Sequence, residues 1–291
     1  MPFPDSVLAL RGAAVAVLLG GLASVTAHAQ PAPLTVDEGA TFTLDGPSGV
    51  YPIHVTLPPG YDPDRPTPYP ALYYADAWWL AELVAGVAKI AVLTDNIEPV
   101  VLVGIGTQGD VDDWSRQRNR DLTPSPFRPP AGLSMTGGSA RMDSTNTGGA
   151  PAFLAVVRDS VVAHVEADYH VDPARRGWLG HSFGGLFGAW TRSVEPDLFT
   201  DLLLVSPSAF WDGGFGSGRS GIVLSAEYEP GGRVFLTYGS DEDGPIRRSV
   251  PALAERLDGV AEVSLRSYEG RDHHSVLMPS LWDGLTWLYG R

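Results

Sequence analysis

The chain has 291 residues, a formal net charge of −14 at pH 7 and no cysteine. The absence of thiols excludes disulfides, thiolate metal sites and a cysteine nucleophile. The acidic balance disfavours nucleic acid and anionic membrane surfaces as partners.

At the start of the chain Arg11 precedes an apolar run from Ala13 to Val25, and Ala27-His28-Ala29 before Gln30 has the small-x-small form of a cleavage site. This pattern predicts a signal peptide over 1–29 and an exported protein, periplasmic or secreted, with one α/β domain over 30–291. The apolar run is too short for a persuasive membrane span. After a Pro-rich opening, alternation over Val50 to Leu57 predicts a half-buried strand. A turn-rich stretch from Pro58 to Pro68 leads to a second strand, Ala71 to Tyr74. Helical spacing follows from Leu80 to Ile90, and the continuous apolar run from Val100 to Ile105 reads as a strand buried on both faces. Pro124 to Pro151 is rich in Pro, Gly, Ser and Thr and has no periodicity, which makes it either a flap over a site or an inert surface insertion. Phe153 to Tyr169 is helical by spacing, and Asp172-Pro173 turns the chain toward a short strand at Trp178-Leu179. Strands are predicted at Leu202 to Val205, Arg233 to Tyr238 and Val263 to Tyr268, with helices over Ile246 to Leu257 and Val276 to Tyr289. This order implies a doubly wound, mostly parallel sheet with helices on both faces, whose functional groups collect at the carboxyl ends of the strands.

Gly180-His181-Ser182-Phe183-Gly184-Gly185, set between that short strand and a helix-like stretch from Leu186 to Thr191, reads as a nucleophile elbow. A serine hydroxyl is weakly nucleophilic at neutral pH, so it must be lifted clear of the sheet and offered to a base. Gly180 and Gly184 flank Ser182 at two residues' distance, where side chains are expected to collide across the bend. The Phe183 N–H, at the start of the helix, is expected to point to where an oxyanion forms.

In this arrangement the carboxylate and histidine follow the serine along the chain. The strand from Val234 to Tyr238 ends at Gly239-Ser240-Asp241-Glu242-Asp243, and one of these acids is expected to orient the base. The next strand exits into His273 and His274, of which one is needed as base. Tyr73-Tyr74-Ala75-Asp76-Ala77-Trp78 is the loop expected to supply the second oxyanion N–H, from Trp78. Trp79 and Trp211 are candidates either to line a substrate pocket or to pack in the core. Arg116, Arg118 and Arg120 either focus a positive field on the substrate or form structural ion pairs. His181 is fixed beside the nucleophile, either packed in the elbow or touching substrate.

Together with Gly104-Ile105-Gly106, Arg118-Asn119-Arg120-Asp121-Leu122-Thr123-Pro124, Gly148-Gly149-Ala150-Pro151-Ala152-Phe153 and Ser206-Pro207-Ser208, these motifs give a chain that resembles the putative-esterase branch of the α/β hydrolases. That group includes enterochelin-type siderophore esterases, S-formylglutathione hydrolases and mycolyltransferases. The resemblance implies a single-domain α/β-hydrolase fold and hydrolysis of a small-molecule carboxylic ester through an acyl-enzyme, with a siderophore-type ester or lactone as substrate. An acyltransferase or a carbohydrate acyl esterase on the same fold are the alternatives. It places the nucleophile at Ser182, the base at His273, the acid at Glu242 with Asp241 as the alternative, and the oxyanion donors at Phe183 and Trp78. Trp79, Arg118, Arg120, His181 and Trp211 are the candidate substrate contacts. No metal or organic cofactor is expected, and the chain has no phosphate-cradling or dinucleotide-binding glycine loop.

Overall fold

Runs of alternating and continuous apolar residues assemble into an eight-stranded mixed sheet in the computed structural model, which describes residues 39–128, 134–212 and 221–291. Its order is β1 (Gly39–Gly46), β2 (Gly49–Thr56), β4 (Val101–Ile105), β3 (Tyr69–Tyr74), β7 (Val171–His181), β8 (Asp201–Val205), β9 (Arg233–Gly239) and β10 (Glu262–Tyr268). From β4 to β10 every neighbour is parallel, whereas β1 pairs antiparallel with β2, and β2 antiparallel with β4. Two further short strands, β5 (Thr136–Gly137) and β6 (Ala140–Arg141), form a separate hairpin.

The two faces of the sheet follow from the period of two along each strand. Leu72, Tyr74, Leu102, Leu179, Leu203, Val205 and Phe235 face one way and are covered by α1 (Ala77–Leu93) and α7 (Leu277–Tyr289). Tyr73, Val101, Val103, Trp178, Leu202, Leu204, Val234 and Leu236 face the other way, onto α3 (Ala150–Val156), α5 (Phe183–Val194) and α6 (Gly244–Leu257). The helix read over Phe153 to Tyr169 is α3, a π-helical segment Val157–Val162, and α4 (Ala163–Asp168) in succession. Among the described residues no helix is long and apolar enough to cross a membrane. The signal peptide predicted over 1–29 lies outside the described residues.

Three features depart from the sequence reading. β1 is exposed along most of its length, so it carries no run of buried apolar residues to announce it. α2 (Val111–Asp121) lacks apolar periodicity because the side chains it buries are polar: Ser115, Gln117, Arg118, Asn119 and Asp121. Its sequence signature is the capping box. Asp110 Oδ1 accepts from the N–H groups of Asp112 at 2.9 Å and Asp113 at 3.1 Å, while Asp113 Oδ2 accepts from Asp110 N–H at 3.1 Å. β7 starts seven residues before Trp178, and its register against β3 shifts between the Tyr69–Val171 and Ala71–Arg176 pairs. Asp172-Pro173 sits in that irregular stretch, which explains why it reads as a turn.

The described parts of the segment from Pro124 to Pro151 are strapped down by hydrogen bonds to one another, to Thr123 and to α2. Phe127 N–H donates to Thr147 Oγ1 at 2.7 Å, Gly148 N–H to Thr123 Oγ1 at 2.8 Å and Ser139 N–H to Ser115 Oγ at 2.7 Å. Through Met135, Thr136 and Gly138 it forms part of a cavity wall at the carboxyl edge of the sheet, so it is not an inert insertion.

Candidate active site

The carboxyl ends of β3, β7, β8, β9 and β10 deliver the loops that surround this cavity, whose volume is about 690 Å³. β7 stops at His181 and α5 starts at Phe183, leaving Ser182 alone to make the turn at φ 58° and ψ −112°. A residue with a Cβ holds this conformation only because its surroundings impose it. Here the elbow is fastened to β8 and its exit: Ser182 N–H donates to Val205 O at 2.9 Å, and Ser208 N–H donates to Ser182 O at 3.0 Å.

Glycine is required at one of the two expected flanking positions. A Cβ on Gly180 would lie 2.0 Å from the Gly184 carbonyl oxygen, whereas a Cβ on Gly184 would meet nothing nearer than Asp76 Oδ2 at 3.8 Å. The expected symmetrical collision is therefore one-sided, because it is the backbone of residue 184 that blocks residue 180. The second tight glycine is Gly185, whose Cβ would come within 2.9 Å of Pro207 Cβ. Gly180→Ala is expected to destabilise the fold by more than about 2 kcal/mol by overpacking against immobile backbone. Gly184→Ala should be neutral, or stabilising by about 0.5 kcal/mol through helix propensity. Equilibrium urea denaturation of both variants measures the contrast.

Glu242 is fully buried at its side chain, while His273 is about one-third exposed and faces the cavity. His273 Nδ1 lies 2.7 Å from Glu242 Oε2. A carboxylate only accepts, so the ring proton belongs on Nδ1 and Nε2 keeps its lone pair, the form of imidazole that can take a proton. The other oxygen, Oε1, accepts from Gly239 N–H at 2.8 Å and from the Ser206 hydroxyl. Asp241, by contrast, is exposed and accepts from Ser240 Oγ at 2.9 Å. His274 is also exposed, its ring centroid 5.5 Å from that of His273. Ser182 Oγ is within hydrogen-bond reach of Ser208 Oγ at 3.4 Å, and in this conformation it makes no hydrogen bond to His273. The His273 ring nevertheless lies beside the elbow, 4.5 Å from the ring of His181. The roles of Ser206 and Ser208 escaped the sequence reading, although their Ser-Pro-Ser motif at the exit of β8 marked the place.

At the exit of β3, Asp76 has φ 61° and precedes α1. Its buried carboxylate accepts from Trp114 Nε1 at 2.8 Å and is clasped by Arg118, through Nε at 2.9 Å and Nη2 at 3.1 Å. The guanidinium lies over the rings of Trp114 and Phe183, at 5.0 and 5.1 Å. This clamp fixes the start of α1. There the N–H of Trp78 has no backbone partner among the described residues, the situation expected at a helix N-terminus. The Trp78 side chain points elsewhere, donating from Nε1 to Gly109 O at 3.1 Å.

Of the candidate substrate contacts, Trp79, Arg118 and His181 line the cavity together with Ser182, Phe183, Asp241, Glu242 and His273. Two candidates do not reach it. Arg120 is exposed and borders a separate polar cavity beside Arg116, because it projects from another face of α2 than Arg118. Trp211 is buried behind Phe183, with Nε1 3.0 Å from Ser125 Oγ, and acts as core. Two of the three arginines form structural ion pairs: Arg116 with Asp113 at 2.6 Å and Arg118 with Asp76. Asp241, Asp243 and Asp272 also line the cavity, so acidic side chains outnumber arginine and lysine in its described lining. Hydrogen bonds from Ser275 and His274 hold the Asp272 carboxyl down at about 2.

The chain is 27% identical to the ferri-bacillibactin esterase BesA of Bacillus subtilis over 240 residues, covering 77% of this chain and 80% of that protein. It is also 27% identical to the siderophore enterobactin esterase of Emericella nidulans, over 65% of this chain and 71% of that one. Among solved structures, the siderophore hydrolase EstA of Aspergillus nidulans superposes with a TM-score of 0.70 at 25% identity, covering 90% of this chain and 98% of that chain. The BES protein of Bacillus cereus superposes with a TM-score of 0.71 at 24% identity, over 87% and 96%, and so shares the fold. Residues 48–279 match the Esterase family, described as "Putative esterase". That match spans most of the chain, which therefore belongs to the Esterase family of α/β hydrolases and is a carboxylic-ester hydrolase.

Proposed function

We propose that the protein cleaves a siderophore-type ester or lactone through an acyl-enzyme on Ser182. The observation that carries the mechanism is the 2.7 Å contact between His273 Nδ1 and the buried Glu242 carboxylate, at the rim of the cavity that Ser182 also lines. In this mechanism Ser182 Oγ attacks the ester carbonyl while His273 Nε2 takes its proton. The N–H groups of Phe183 and Trp78 receive the developing oxyanion, and the same imidazole returns the proton to the leaving alcohol. Water, deprotonated in turn by His273, releases the acid and regenerates the serine. The siderophore assignment rests on the names of the relatives, BesA among them.

The lining narrows that class. Arg118 is neutralised by Asp76, while Asp241, Asp243 and Asp272 line the cavity, so a strongly anionic complex meets repulsion there. A ferric ion held by three catecholates is such a complex, whereas one held by three hydroxamates is uncharged. We therefore assign the site to uncharged or weakly charged esters, including hydroxamate-type complexes and iron-free lactones. At low ionic strength, kcat/KM for an uncharged aryl ester should exceed that for a matched carboxylate-bearing ester by on the order of tenfold, and added salt should narrow the gap. An anionic ester preferred at low salt would reverse the charge assignment. Labelling of Ser182 by a fluorophosphonate probe, located by peptide mass mapping, tests the acyl-enzyme itself. Export is part of the same reading, with the mature chain starting at Gln30. N-terminal sequencing of protein secreted by an expressing bacterium tests it.

A further inference from the structure

His181 precedes the nucleophile and is 3% exposed, yet its ring borders the cavity. Its Nε2 lies 2.7 Å from the backbone carbonyl oxygen of His273. That oxygen can only accept, so Nε2 carries the ring's proton and Nδ1 is bare. The loop at the other end of this bond needs support. Glu269, Gly270, Arg271, Asp272 and His274 are all exposed, His273 and Ser275 are half-buried, and only Val276, just before α7, is packed into the core. The loop's other polar contacts are local or run to the neighbouring exit of β9. Asp272 Oδ1 accepts from the N–H groups of His274 and Ser275, Gly270 N–H donates to Ser240 Oγ, and Asp241 N–H donates to Arg271 O. None of these contacts touches the elbow.

We propose that His181 is a positioning residue which fastens the loop carrying the base to the nucleophile elbow, through the hydrogen bond from its Nε2–H to the His273 carbonyl. This inference rests on the reading of Ser182 and His273 as nucleophile and base. Ser182 is covalently next to the tether and His273 is the residue tethered, so the bond sets the separation of the two reacting groups directly. The ring is also suited to staying neutral. Burial pushes its ionisation well below the usual histidine range, and the neighbouring His273 adds to the effect. A neutral ring 4.5 Å away does not oppose the positive charge that His273 acquires during the reaction. Because its one polar hydrogen is engaged by the loop, His181 has none left to give a substrate. Its effect therefore belongs in kcat and not in KM.

Substitutions that differ in reach separate this role from simple packing. The side-chain amide nitrogen of Gln stands the same number of bonds from Cα as His Nε2, whereas that of Asn stands one bond nearer. His181→Leu and His181→Asn are expected to lower kcat on the order of tenfold to a hundredfold, with KM within about twofold of the parent. His181→Gln should recover kcat to within about threefold of the parent. Fluorophosphonate labelling rates should rank in the same order, since they report activation of the serine independently of substrate binding. If the Leu variant does not fold, the Asn and Gln pair alone decides the matter. Unchanged kcat in Asn and Leu, equal losses in Asn and Gln, or a rise in KM with kcat preserved would each overturn the tether. A Ser182→Ala protein that still turned over ester would instead sink the underlying reading of the nucleophile.

Discussion

Under the proposed mechanism Ser182→Ala is expected to lower kcat by at least about 10⁴-fold, because the acyl-enzyme route disappears while the proposed oxyanion donors and the cavity remain. The fold should not suffer. Among the described residues the Ser182 hydroxyl has one hydrogen-bond partner, Ser208 Oγ at 3.4 Å, and the backbone bonds that hold the elbow are made by groups which alanine retains. A companion variant separates catalytic loss from conformational cost. At φ 58° and ψ −112° any residue with a Cβ is strained, so Ser182→Gly should be equally inactive yet more stable than the parent by about 1 kcal/mol or more. Initial rates on a chromogenic ester and urea midpoints for the three proteins check both halves. Appreciable turnover by a homogeneous, well-folded Ser182→Ala sample would rule out the serine mechanism.

Glu242→Gln should cost about 10²- to 10⁴-fold in kcat, and the reason lies on the far side of the carboxylate. Oε1 accepts from both Gly239 N–H and the Ser206 hydroxyl, so the glutamine must turn its single oxygen toward them. Its NH₂ group then faces His273 Nδ1. A donor in that place requires Nδ1 to accept, which moves the ring proton to Nε2, the nitrogen that must be free to receive the serine's proton. The side chain keeps its volume and its two inner bonds, so stability should change little while the tautomer is wrong. Nitrogen-15 chemical shifts of the His273 ring report the tautomer directly, and steady-state kinetics report the loss. Parent-like kcat in the glutamine variant, or an unchanged ring tautomer, would show that Glu242 does not control the base. Asp241→Asn serves as the comparison. That carboxylate is exposed and bonded to Ser240, so its removal should leave kcat within about twofold.

Much of the scaffold was legible because it is written in apolar periodicity. Val101–Ile105, Asp201–Val205 and the helices on both faces bury continuous or regularly spaced hydrophobic side chains, and the sequence marks them by that alone. Elements that bury little apolar surface were invisible by the same rule. β1 half-buries only Phe42 and Leu44 among its apolar residues, and α2 turns a polar face inward, where Arg118, Asn119 and Asp121 find hydrogen-bond partners instead of oil. The residues of the site were marked differently, by a local turn that only glycine and serine chemistry explains and by acids and histidines at strand exits. What the linear order could not convey was partnership across the sheet. Whether Arg118 faced substrate or Asp76, whether His181 packed in the elbow or reached outward and to what partner, and which acid turned inward were all decided by loops brought together at one edge.

Five described non-glycine residues have φ in the left-handed region, and three of them, Asp76, Ser182 and Ser206, stand at the exits of the adjacent strands β3, β7 and β8. The sheet beneath them supplies the stability that keeps those exits bent. With Ser182 as the proposed nucleophile, directed evolution scored on heat survival alone would thus be drawn to release the tension there first, and would enrich robust proteins that no longer react. Any campaign to harden this enzyme needs turnover in every round of its screen.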